Sequence, residues 1–284
     1  SKPLIRQALD AGIDFFDTAN VYSDGSSEEM LGRVLWRWVK RDEIVLATKV
    51  FGDEDPNWRG LSRRIIMRQI DNSLKRLQTD YVDLYQIHRW DPVTPIEETM
   101  EALNDVVRAG KARYIGASSM YAWQFSKAQQ VAKENGWARF ISMQNQVNLI
   151  YREEEREMIP LCLDQGVGLI PWSPIARGKL ARPVGISTAR AETDNVLENM
   201  YSKTIDADNA VISNVEAIGN EIGRPMVQVA LAWIRQKKGV AAPIIGYTRS
   251  EQFEQMLGGL DLVLDQEMID RLEAPYVPHV PVGF

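Results

Sequence analysis

The sequence is poor in the residues that most often anchor disulfides and metals. Its 284 residues include one cysteine, Cys162, and two histidines, His88 and His279. A single thiol excludes an internal disulfide and a cysteine-based zinc cluster, and two histidines exclude a histidine-rich site, so no resident metal is expected. No apolar run approaches the roughly 20 residues that cross a bilayer as a helix. Basic residues are not in excess either. Lys and Arg number 33 against 39 Asp and Glu, a formal net charge of −6, which gives no footprint for nucleic acid or an anionic membrane. The start, Ser1-Lys2-Pro3-Leu4, lacks signal-peptide form, and the scarcity of cysteine makes a reduced, cytoplasmic location the expectation. A G-x-G-x-x-G run is also missing, although an open dinucleotide-binding sheet carries one directly after an early strand.

What is present is a globular composition, 45% hydrophobic and 25% charged, on a chain long enough to bury a substantial core. Short β-rich runs alternate with longer helical ones. Strands are expected at Ile13–Asp17, Ile44–Lys49, Val82–His88, Tyr114–Ser118, Ile141–Gln146, Gly168–Trp172 and Pro243–Gly246. Runs such as Ile44-Val45-Leu46-Ala47 are apolar without alternation, as in a parallel sheet covered on both faces. Helices are expected at Ser62–Leu77, Pro95–Ala109, Trp123–Asn135, Met226–Gln236 and Ser250–Leu257, with Glu154–Gln165 also helical. Strand and helix repeat every 30 residues or so, which implies right-handed βαβ units. Polar groups sit at the ends of many strands, so a closed (β/α)8 barrel in one domain over residues 1–284 is favoured over an open doubly wound sheet. One strand-to-strand interval is long, and its stretch at about 177–205 is expected to be a lid or binding loop.

The strand ends carry the chemistry. Asp17 ends the first expected strand, with Tyr22 just beyond it; Lys49 ends the second and His88 the third. Parallel strands place all four at one mouth. A phenol with its ordinary pKa near 10 is a poor acid at neutral pH, and an adjacent ammonium stabilises the phenolate. A carboxylate fixes the ammonium, and an imidazole donates to a carbonyl oxygen. Together they suit protonation of a developing alkoxide, as carbonyl reduction by a cofactor's hydride requires. Singly, each has a plainer reading: Asp17 as a cap, Lys49 as a solvated charge, Tyr22 as a rim aromatic, His88 as a structural histidine.

These residues belong to longer segments. They are Gly12-Ile13-Asp14-Phe15-Phe16-Asp17-Thr18-Ala19-Asn20-Val21-Tyr22, Ser27-Glu28-Glu29-Met30-Leu31-Gly32, Ala47-Thr48-Lys49, and the run from Leu74 to His88. In content and order they resemble the aldo-keto reductase superfamily over nearly the whole chain, most closely its bacterial, fungal and potassium-channel-β-type branches. The resemblance implies Tyr22 as proton donor, Lys49 as its supporting cation, Asp17 as the anchor and His88 as the substrate-orienting donor. It implies NADP(H) as cofactor and a small carbonyl compound as substrate. Ser118 and Ser119 match the segment that holds the nicotinamide carboxamide, with Ser119 where the family usually has Asn, and Gln144 matches the glutamine that binds the same amide. Trp172, Ser173 and Pro174 match the segment beside the nicotinamide ring; Arg177, Gly178 and Lys179 match the stretch over the pyrophosphate. Gly246, Thr248 and Arg249 precede a helix, where free N–H groups favour an anion, and Arg249 matches the contact to the 2′-phosphate. Gln252 matches an adenosine contact, whereas Met256 stands where the family commonly has an adenine-binding Asn. For Trp172 a core role, and for Arg249 a plain surface charge, stay open.

The channel-β branch also implies an alternative, a nucleotide-sensing subunit with residual turnover. Cys162 reads as a small core residue, Trp36 and Trp38 as packing, and His279 as part of a loose Pro-rich tail. Seven strands are counted where a closed barrel has eight, and Asp17 falls on the strand that the family numbers second. A strand before Ser1 is therefore expected, with Ser1–Ala11 as the helix that follows it.

Overall fold

The computed structural model describes residues 2–52, 55–186 and 204–281. The chain divides into two compact units, one up to Gln144 and one from Asn145 onward.

In the first unit, α1 (Lys2–Asp10) precedes five strands: β1 (Phe15–Asp17), β2 (Val45–Val50), β3 (Val82–Ile87), β4 (Ala112–Ser118) and β5 (Phe140–Gln144). Each pairs in parallel with the next in chain order. The helices α2 (Ser26–Leu35), α3 (Arg63–Leu77), α4 (Ile96–Arg108) and α5 (Ala122–Asn135) lie between successive strands in the sequence, as parallel connections require. Leu46, Ala47, Tyr85, Ile87, Ile115 and Met143 are wholly buried, which accounts for the unbroken apolar runs. On α3, Ile66, Ile70 and Leu77 form the buried stripe. Ser62 occupies its N-cap without a side-chain bond; the Arg63 N–H is instead satisfied by Glu98 Oε1 at 2.9 Å. α5 stops at Gly136, whose φ of 66° is the left-handed conformation that glycine adopts without steric cost.

α2 was not among the expected helices, and it contains Gly32. That glycine is required by packing: a Cβ there would lie 2.4 Å from the Arg76 carbonyl oxygen and 2.5 Å from the Leu77 carbonyl carbon. Trp36, at the end of α2, donates its indole N–H to the Leu77 carbonyl at 2.8 Å.

The second unit holds α6 (Met158–Gln165), β6 (Gly168–Leu169), α7 (Ile205–Ile222), α8 (Met226–Gln236), α9 (Ser250–Leu257) and α10 (Gln266–Glu273). Its core is built from Val215 and Ile218 of α7, Val229, Trp233 and Ile234 of α8 and Leu272 of α10. α6 is shorter than the helical run expected from Glu154. Glu153–Glu155 is a separate 3-10 turn, and Pro160 is accommodated only in the first turn of a helix, so α6 begins at Met158.

The expected strand Pro243–Gly246 is not formed, and Gly168–Trp172 is a strand only to Leu169. The reason is visible in the hydrogen bonds. Leu169 N–H donates to Gly239 O at 2.9 Å and Ala241 N–H to Leu169 O at 2.8 Å, which begins a parallel ladder. The next two donors in register would be residues 171 and 243, and both are proline. Only Ile244 N–H reaches Pro171 O, at 2.8 Å, one residue out of register. The expected loop at about 177–205 lies partly outside the described residues, which omit 187–203.

Candidate active site

Within the first unit the parallel strands bring Asp17, Lys49 and His88 to one edge, and Tyr22 joins them from the loop after β1. Lys49 is fully buried, and its ammonium uses all three donors: an ion pair to Asp17 Oδ2, 2.9 Å to the Thr18 carbonyl oxygen, and 3.3 Å to the Tyr22 hydroxyl. Asp17 Oδ1 accepts from Gln86 Nε2 at 3.0 Å and from Gln144 Nε2 at 2.9 Å. The carboxylate is therefore saturated, and it holds the cation beneath the phenol. Tyr22 remains 39% exposed as a residue.

His88 meets the Tyr22 ring edge-on, with centroids 5.6 Å apart and planes at 78°. Its main-chain N–H donates to Val50 O at 2.8 Å, and no hydrogen bond to either ring nitrogen is found among the described residues. Burial, with Lys49 and Arg89 adding repulsion, pushes its pKa down to about 3. His88 is thus a neutral imidazole at physiological pH, able to donate one N–H without delivering a charge.

Gln86 was not singled out by the sequence, where it is one polar residue in an apolar strand. Its position two before His88, which directly follows β3, gives both the same parity along the chain, and that alternation is the available signal. Gln144 has partners its resemblance did not suggest, since its amide nitrogen also lies 3.3 Å from Gln86 Oε1. Ser118 donates its hydroxyl to Gln144 O at 2.7 Å, and Ser119 N–H donates to the same oxygen at 3.1 Å. Ser119 has a φ of 34°, a conformation that Asn tolerates better than Ser.

The remaining expected cofactor residues lie in the second unit, in two segments. In the first, Trp172 is half-buried, and its N–H donates to Asn145 O at 2.9 Å. Ser173 has a φ of 52°, and its carbonyl accepts from Asn148 Nδ2 at 3.0 Å; Pro174 is buried. Ala176, Arg177 and Gly178 follow with successive φ values of 49°, 53° and 94°. Lys179 is partly buried; desolvation lowers its pKa, and Asp208 opposes that shift. In the second segment, Gly246, Thr248 and Arg249 are exposed. Gln252 Oε1 accepts from Thr248 N–H at 3.1 Å and Arg249 N–H at 3.2 Å, closing the start of α9. Met256 is buried.

Two structural readings are settled in this unit. Burial, with Glu154 adding to it, pushes the Cys162 thiol up to about 12, far from a nucleophile's value. The tail bearing His279 is not loose. His279 N–H donates to Glu153 Oε1 at 2.8 Å, and Tyr276 donates its hydroxyl to the same oxygen at 2.5 Å. The His279 ring lies 2.8 Å from Val277 O through Nδ1 and 2.9 Å from Asp208 Oδ1 through Nε2. Proline-rich composition suggested mobility, but two acidic anchors, Glu153 and the buried Asp208, hold the segment.

Comparison with known proteins matches the chain to a family. The profile of the Aldo/keto reductase family matches residues 1–276. A versiconal hemiacetal acetate reductase of Aspergillus parasiticus is 46% identical over 98% of this chain and 87% of its own length. Aldo-keto reductases of Fusarium vanettenii and Alternaria alternata are each 42% identical, over 97% and 99% of this chain and 81% and 83% of their own. The chain belongs to the aldo/keto reductase family, whose members are oxidoreductases acting on small carbonyl compounds.

Proposed function

We propose that the chain is an NADP(H)-dependent carbonyl reductase, one (β/α)8 barrel domain working in the cytoplasm, that converts aldehydes and ketones to alcohols. The observation that carries the proposal is the Lys49 ammonium held between Asp17 and the Tyr22 hydroxyl, beside a neutral His88 whose ring nitrogens have no hydrogen-bond partner among the described residues. When bound, the nicotinamide supplies the hydride. The chain's own groups do the rest. His88 donates a hydrogen bond to the carbonyl oxygen and orients it. Tyr22 gives its hydroxyl proton to that oxygen as negative charge develops there, and Lys49 stabilises the phenolate left behind. Asp17 holds Lys49 in place.

The donor set in the second unit fits a phosphate-bearing dinucleotide. Positive φ at three successive residues, Ala176 to Gly178, is the kind of strain that proteins keep at ligand sites. Arg177 and Lys179 bring cations to the pyrophosphate, and Trp172 and Ser173 would lie beside the ring. Arg249 is exposed and makes no ion pair among the described residues, which suits a 2′-phosphate. Ser118, Ser119 and Gln144 would hold the carboxamide, with Gly246, Thr248 and Gln252 on the adenosine side.

The test is NADPH oxidation with 4-nitrobenzaldehyde and methylglyoxal. Turnover is expected with the wild type and is lost in Tyr22→Phe, while NADPH affinity stays. Tight NADPH binding with no carbonyl-dependent oxidation across a broad panel would overturn the enzyme reading, and normal turnover in Tyr22→Phe would overturn the assignment of the acid. Arg249→Ala is expected to weaken NADPH far more than NADH; equal losses would remove the 2′-phosphate role.

A further inference from the structure

Arg89 follows His88 at the mouth of the first unit. Its Nη1 donates to the His88 carbonyl oxygen at 2.7 Å, and it has no other hydrogen bond and no ion pair among the described residues. Burial lowers the pKa of this guanidinium, and Tyr22 is the neighbour whose interaction favours its charge, which puts Arg89 within electrostatic reach of the proposed acid.

Among the described residues, the carboxylates of Asp91 and Asp17 are engaged elsewhere. Asp91, two residues on, accepts from Leu61 N–H at 2.8 Å, Val93 N–H at 2.9 Å and the Thr94 hydroxyl at 2.7 Å. Asp17 is saturated by Lys49, Gln86 and Gln144. Among the described residues the mouth therefore holds two cations, Lys49 and Arg89, around one committed carboxylate, in a chain whose net charge is −6. A desolvated cation without a counter-ion is unfavourable, and a planar oxyanion arriving there would form the bidentate pair that suits a guanidinium. The flank is aromatic. Trp90 packs on Trp123 with ring centroids 6.0 Å apart, and Trp123 is 60% exposed.

We propose that Arg89 is a specificity-determining residue that receives a carboxylate carried by an aromatic carbonyl substrate, away from the carbonyl that reacts at Tyr22. This rests on the carbonyl-reductase reading above and names its substrate class.

The experiment compares 4-carboxybenzaldehyde with neutral 4-nitrobenzaldehyde, in turnover with NADPH and in binding followed by tryptophan fluorescence. Wild type is expected to favour the carboxylate in both readouts, and added salt should shrink the preference. Arg89→Met should lower the carboxylate-to-nitro ratio of kcat/KM by about tenfold or more, the scale of a lost charged hydrogen bond. Arg89→Lys should restore part of that ratio, which separates lost charge from a misfolded variant. No wild-type preference, a salt-insensitive preference, or an unchanged ratio in Arg89→Met would overturn the inference. So would an equal weakening of NADPH, which would make Arg89 a cofactor residue. If both aldehydes fail in turnover while Arg89-dependent binding of the carboxylate persists, the reductase reading falls and the site stands.

Discussion

Gln86 and Gln144 converge on one oxygen, Asp17 Oδ1, at 3.0 and 2.9 Å, so the third and fifth strands of the first unit hold the charge at the end of the first. The carboxylate that anchors Lys49 is itself anchored by two neutral amides. Gln86 also receives Gln144 through its own Oε1, so the two amides act as a pair.

Replacing Gln86 with leucine should therefore loosen Asp17 without touching Tyr22. It leaves a buried carboxylate one bond short, at a cost of about 1–3 kcal/mol. Urea unfolding gives the stability change, and kcat is expected to fall with it as Lys49 gains freedom. A variant as stable and as fast as wild type would show that the amide pair does not position the carboxylate.

The Lys49–Asp17 pair is almost sealed from water, with side-chain exposures of 0% and 8%. Removing one partner of a buried pair leaves a bare charge and costs about 3–5 kcal/mol. Lys49→Met and Asp17→Asn should each lose stability on that scale, and the double variant should recover much of the loss. A double-mutant cycle measured by denaturant unfolding decides it: simple additivity would mean the pair contributes no coupling. Activity should stay low in the double variant, since recovering stability does not restore the cation beneath Tyr22.

The parts legible in the sequence were those written in consecutive residues. The buried strands were apolar runs, and Asp17, Lys49 and His88 stood at their ends. Long-range relations were not legible. Gln86 gains its role from a partner 69 positions away in the chain. The failure of Pro243–Gly246 to form a strand depends on which residue faces Pro171, which pairing decides. His279 looked unconstrained because its anchors, Glu153 and Asp208, are 126 and 71 positions distant.

The two histidines shift in opposite directions, and a chain with two imidazoles makes this easy to follow by NMR. His88 should not titrate between about pH 5 and 8, because its folded value is about 3. Burial also opposes charge at His279, but the Asp208 bond, with help from the Val277 carbonyl, outweighs it and raises the pKa. At the ring nitrogens of His279, Nδ1 faces the Val277 carbonyl and Nε2 faces Asp208 Oδ1, with the Thr204 hydroxyl also 2.7 Å from Nε2. The signs follow from linkage. The stability from His279 is complete below the unfolded value of about 6.5 and is lost as pH rises through its folded value. His88 acts on the acid side: as pH falls from about 6.5 toward 3, the unfolded chain takes a proton the folded chain refuses, and stability drops. His88→Asn should flatten the acid limb of the urea midpoint against pH, and Asp208→Asn the alkaline limb. A His88 ring titrating near its ordinary value would refute its assignment as a neutral donor.

Gly116 is the space that lets the amide pair form. It pairs in register with Gln86 on one side and Ser142 on the other. A Cβ at this position would lie 2.4 Å from Ser142 Oγ and 3.2 Å from Gln86 Cγ. Gly116→Ala should therefore destabilise the first unit by about 1–3 kcal/mol, the usual cost of overfilling a packed interior. It should also slow turnover, because the Gln86 side chain is displaced from Asp17. Ser142 Oγ is buried with no hydrogen-bond partner among the described residues, so removing it costs little by itself. The double variant Gly116→Ala, Ser142→Gly should then regain most of the stability lost by Gly116→Ala alone. It should regain less of the activity, because the closer contact to Gln86 persists. If Ser142→Gly rescues neither property, the clash with the serine is not what excludes a side chain at 116.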